Sequence, residues 1–123
     1  MRKLAATLVV GIGACGVAYA APAAMTTVTV LEFPSPQDTP HTVKLPSGTH
    51  AVSFDVKNGQ LHCASIRLRK TDGGQPGLVS DRILANKAHV MMSSSAAAFE
   101  SATANCHAVD ANAQLEVSAS AKP

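Results

Sequence analysis

Beyond residue 25, polar and apolar side chains alternate with a period of two along most of the chain, the pattern of strands with one wet face. The clearest run is His50 to Lys57, where Val52, Phe54 and Val56 point one way and Ser53, Asp55 and Lys57 the other. Asn58-Gly59 follows, and then a second run from Gln60 to Arg69. Both residues of an Asn-Gly pair tolerate positive φ, so the two runs are expected to form a β-hairpin closed by a type I′ turn. Thr26 to Phe33 is rich in β-branched residues and predicts a first strand. His41 to Leu45 predicts a short second one, between the loop Pro34 to Pro40 and the turn Pro46-Ser47-Gly48.

Farther on, Lys70 to Gly77 reads as a flexible loop, Leu78 to Ala85 as a strand or a helical turn, and Ala88 to Met92 as a strand. Ala96 to Ser101 is ambiguous, because alanine favours helix but six residues are too few to sustain one. Thr103 to Val109 predicts a strand and Asp110-Ala111-Asn112 a turn. In Gln114 to Ala121 the residues Leu115, Val117, Ala119 and Ala121 alternate with polar neighbours. Six to eight short strands, spaced by about ten residues with turn signals between, predict an all-β fold, a small antiparallel β-sandwich.

The Gln60 to Arg69 run changes phase. Ile66 and Leu68 face away from Arg67 and Arg69, and extending that alternation backwards turns His62 inward and Cys63 outward. Leu61 and Cys63 nevertheless look like a buried pair. A β-bulge between Cys63 and Ser65 reconciles the two by adding one residue and reversing the facing. Without it, Cys63 faces outward and His62 inward.

Ahead of the strands, Arg2 and Lys3 precede an apolar run from Leu4 to Val17, and Ala18-Tyr19-Ala20 supplies an A-x-A site. That order is the pattern of a secretory signal peptide, and the apolar run is shorter than the roughly 20 residues of a membrane span. Cleavage is expected after Ala20, with Ala23 as a second position. Residues 1–20 are therefore expected to be removed, 21–25 to be a short tail and 26–121 to form one domain. A rival lies in the same segment. Ile12-Gly13-Ala14-Cys15 resembles a bacterial lipobox, which implies lipidation of Cys15 and an anchored lipoprotein in place of a soluble periplasmic or secreted one.

Composition narrows the function classes. Arg2 and Lys3 are two of the ten basic residues, so the remainder carries eight basic against eight acidic side chains, and the formal charge of +2 vanishes with the signal. No whole-chain argument for nucleic acid survives. The aromatics beyond the signal are Phe33, Phe54 and Phe99 alone, too few for a base-stacking platform. The serines Ser93 to Ser95 lie in no G-x-S-x-G context, the acids are scattered, and no Gly-rich phosphate loop precedes a helix. The chain reads as non-enzymatic.

Cys63 and Cys106 are the two cysteines beyond the signal, and in an oxidising compartment they are expected to bridge. Each has a histidine beside it, in His62-Cys63 and Cys106-His107. Neighbours on a strand face opposite ways. If the bridge joins adjacent strands of one sheet, both histidines share the other face and approach to metal-ligand range. If it spans two sheets, they point to opposite surfaces. His89, or Met91 or Met92, could add a third ligand for copper, whereas the imidazoles also suit zinc. The plainer alternative leaves these histidines as solvated strand residues. Arg67, Arg69 and Lys70 form a local basic edge that suits an anion or an acidic partner, or simply protects an edge strand. The leading expectation is an exported domain acting by contact with a protein or envelope component. The alternative is a periplasmic copper or zinc protein using His62, His107, His89 and Met91.

Overall fold

The computed structural model of the protein describes residues 25–123; the expected signal segment and the lipobox at Cys15 lie outside the described residues. Eight strands follow in chain order: β1 (Thr26–Phe33), β2 (Thr39–Thr49), β3 (Ala51–Lys57), β4 (Leu61–Lys70), β5 (Gly77–Leu84), β6 (His89–Ser93), β7 (Phe99–Ala108) and β8 (Ala113–Ser120). They form two antiparallel four-stranded sheets, ordered β1-β8-β3-β6 and β2-β7-β4-β5. Every connection except β4 to β5 crosses from one sheet to the other, which gives the double Greek key of a jelly roll. Among the described residues, no helix is long and apolar enough to cross a membrane.

The antiparallel sandwich expected from the alternation is present, but the hairpin expected at Asn58-Gly59 is not. Strands β3 and β4 belong to different sheets. The backbone there does take positive φ, 61° at Asn58 and 140° at Gly59, yet it carries the chain over the edge of the sandwich. The inward rows Val52, Phe54, Val56 and Leu61, Cys63, Ile66 then face each other across the core. The crossing is held by Asn58 Nδ2 donating to Gln114 at 2.8 Å, and it is tight, because a Cβ on Gly59 would lie 3.3 Å from that of Ala113.

Strand β2 also differs from expectation, running through Pro40 and Pro46. It lies at a sheet edge, where a proline's missing donor faces no partner strand. Its register against β7 slips between Lys44 and Thr49, where Gly48 takes φ 80° and the Thr49 hydroxyl donates to the Pro46 carbonyl. The ambiguous Leu78 to Ala85 segment is strand β5, and Phe99 to Ser101, within the doubtful alanine-rich stretch, begins β7.

The core lies between the sheets. Phe33, Phe54 and Phe99 are all buried in it, and aliphatic residues, chiefly Leu61, Ile66, Leu68, Leu115, Val52 and Val117, supply the rest. At its centre Cys63 is bonded to Cys106, directly opposite it in the β4·β7 register, with Cα atoms 4.0 Å apart. The bulge needed to keep both Cys63 and Ile66 inward is present: the β4·β7 register shifts between Cys63 and Ser65.

The bridge closes 43 residues, for which chain entropy gives roughly 3–4 kcal/mol of stabilisation. Urea unfolding of the Cys63→Ala/Cys106→Ala variant is expected to show a loss of that order; a midpoint unchanged from the oxidised protein would contradict it.

Candidate metal centre on an outer sheet face

Because the bridge joins neighbouring strands and its sulfurs point into the core, the adjacent residues point out. His62 and His107 are themselves register partners on the outer face of the β2-β7-β4-β5 sheet, with ring centroids 5.1 Å apart. The same register brings an acid level with them. Thr39 pairs with Cys106, so Asp38, one residue earlier, falls beside His107, whose Nδ1 donates to Asp38 Oδ1 at 2.7 Å.

A second acid arrives through an irregularity. Strands β4 and β5 keep one register from Leu61↔Leu84 to Ile66↔Val79, so β5 must bulge where β4 bulges. The residue facing Ala64 in that register is Asp81, which sits at φ 47°. Left-handed backbone costs an L-residue on the order of 1–2 kcal/mol, and least for Asp and Asn. The bulge turns the Asp81 carboxylate toward His62, 3.0 Å from Nε2.

His62 Nε2 lies against the Asp81 carboxylate, and its buried Nδ1 meets no hydrogen-bond partner among the described residues. Asn105, two residues from His107 on the same outer face, likewise holds a buried Oδ1 that meets no donor among the described residues. One ligand atom each from Asp38, His62 and His107 lie within 4.8 Å of one another. Two imidazoles and a carboxylate, with a further acid beside them, make an N/O donor set suited to zinc or copper(II).

The remaining sequence candidates lie apart from this centre. His89 and Met91 are on β6, in the other sheet, and face outward from it, so they cannot join His62 and His107. Met92 packs on the core. Arg67 and Arg69 lie on β4, an interior strand, which removes the edge-protection reading. Arg69 is paired to Glu100 at 2.9 Å, and Lys70 ends β4, where its amide donates to the Gly74 carbonyl in the β4–β5 turn. Asp38 and Asp81 were not singled out by sequence reasoning. Only the β2·β7 register could have found the first, and only the paired bulge the second.

A cleft of about 500 Å³ lies at the other sheet, between Asp55, Lys57, Asn86, Lys87 and Glu116. Several of its charges are already paired. Lys57 meets Glu116 at 2.9 Å, and this hydrogen-bonded pairing holds the Glu116 carboxyl below its ordinary range and the Lys57 amine above its own.

No protein-family model matches the chain, and no curated protein is similar to it in sequence. Among solved structures, AlgX of Pseudomonas aeruginosa superimposes with a TM-score of 0.43 and 11% identity, over 75% of this chain and 26% of that one. The chain thus spans about a quarter of AlgX, and so distant a likeness contributes nothing to a functional reading.

Asp81→Ala is expected to cost about 1 kcal/mol in urea unfolding, because it keeps a Cβ at φ 47° without the short polar side chain that eases it. Asp81→Gly is expected to be neutral within that amount. Equal losses in both variants would refute the strain argument.

Proposed function

We propose that the protein is an exported, non-enzymatic metal-binding domain of the cell envelope that holds one divalent transition ion, zinc or copper(II), on Asp38, His62 and His107. The observation that carries this reading is the convergence of those three side chains within 4.8 Å on one outer face. The unpartnered polar atoms His62 Nδ1 and Asn105 Oδ1 support it, since buried polar atoms normally have a partner. Asp81 serves as the group that orients His62, as carboxylates commonly do for metal-bound imidazoles. Export is supported by the signal-like first 20 residues and by a small β domain stapled through its core by a disulfide.

Contact with a protein or envelope component is a second reading. Ile83, level with His62 in the β4·β5 register, is 58% exposed and gives the same face an apolar point.

Calorimetric titration of the oxidised protein with Zn²⁺ and with Cu²⁺ tests the proposal. One equivalent is expected to bind, His107→Ala to abolish measurable binding, and Asp81→Asn to weaken it by about 10-fold. No heat with either ion, and no shift of the histidine ring resonances, would end the metal reading and leave the contact reading standing.

A further inference from the structure

We infer that the opposite face of the sandwich carries a second, softer metal site: Met25, Met91 and His89 together form a binding site for copper(I). It uses none of the residues of the Asp38–His62–His107 centre and stands independently of it.

The site begins with β6, where His89 and Met91 are two residues apart and so point the same way, outward from the β1-β8-β3-β6 sheet. Their partners on β3 are Asp55 and Ser53. Met91 is 47% exposed, whereas its neighbour Met92 packs on the core, so burial does not account for a methionine at 91. Met25 immediately precedes β1, at the far edge of the same sheet.

Between the two edges the outward positions are filled by small side chains: Ala51 and Ser53 on β3, Ser118 and Ser120 on β8. They are all buried although they face away from the core. They form a trough, and Met25, Met91 and His89 line one cavity of about 220 Å³ over Ala51 and Ser53. Lys122 and Pro123 close another side of it.

The donor set selects the ion. Thioether sulfur is a soft ligand that favours copper(I), while imidazole accepts copper in either state. Zinc, calcium and magnesium gain little from two thioethers. His89 is also arranged as metal-bound histidines usually are: its Nδ1 lies 2.8 Å from Asp55 Oδ1. An ionised carboxylate only accepts, so the proton sits on Nδ1 and the Nε2 lone pair is left free for a metal.

The test is anaerobic titration of the oxidised protein with copper(I) in competition with bicinchoninate, read by the colour of the chelator complex, with copper X-ray absorption as a second readout. The expected result is one equivalent withdrawn from the chelator with sulfur scattering at the copper, and loss of competition in Met91→Leu. Met25→Leu is expected to weaken binding, and Asp55→Asn, which touches His89 but not the ion, to weaken it by about 10-fold. His62→Ala/His107→Ala is expected to leave it unchanged. These side chains lie at the surface, and circular dichroism with thiol counting confirms that each variant keeps its fold and bridge. The inference fails if copper(I) is not withdrawn, if Met91→Leu binds as tightly as the parent, if the absorption spectrum shows only nitrogen and oxygen, or if the His62/His107 variant is the one that loses it.

Discussion

The pairing of Cys63 with Cys106 across β4 and β7 is the constraint on which the rest depends. These are the two interior strands of their sheet, and the bond ties them at the centre of the core. With only three phenylalanines, the core gains less buried area per residue than an aromatic one would, so a covalent tie weighs more in its stability. The same bond sets what lies on the outside. A strand has a period of two, so fixing two facing cysteines inward places two facing histidines outward, and that adjacency creates the His62–His107 pair.

The bridge needs the bulge. Cys63 and Ile66 are three residues apart, and an unbroken strand cannot bury both. Ala64 supplies the extra residue in β4, and β5 follows with Asp81 in a left-handed conformation, so that the β4·β5 register holds from Leu61 to Ile66. A packing requirement inside the sandwich is in this way transmitted to the neighbouring edge strand, where it delivers a carboxylate to His62.

Much of this was legible in the chain, for a physical reason. Alternation is local, so Val52 to Val56 and Leu115 to Ala119 announced their strands and facings, and the phase conflict around Cys63 announced the bulge. Which strand pairs with which is not local. Asn58-Gly59 has the chemistry of a hairpin turn, but turn chemistry sets only the backbone dihedrals, and burial of two apolar faces against each other decides where the chain goes next. The same limit applies to the sites. His62 and His107 could be named as a conditional pair. Asp38, Asp81 and Met25 could not be placed, because their positions follow from the β2·β7 register, a coupled bulge and the far edge of the other sheet.

These three residues have something in common that bears on how a flat sheet binds an ion. On a regular pleated face, directly opposed Cβ atoms stand about 4.5–5.5 Å apart and the side chains run parallel. A metal instead asks its ligand atoms to converge on one point at about 2 Å. Regular strand positions therefore supply pairs, such as His62 with His107 or His89 with Met91, and a third donor has to come from where regularity ends. Asp38 comes from the loop before β2 and Met25 from the residue before β1, while Asp81, which steadies His62 and is not itself a ligand, comes from a bulge. In a sandwich whose interior is fully committed to apolar packing, candidate sites are thus expected at strand starts and bulges beside a same-face pair. Both clusters proposed here lie at such places.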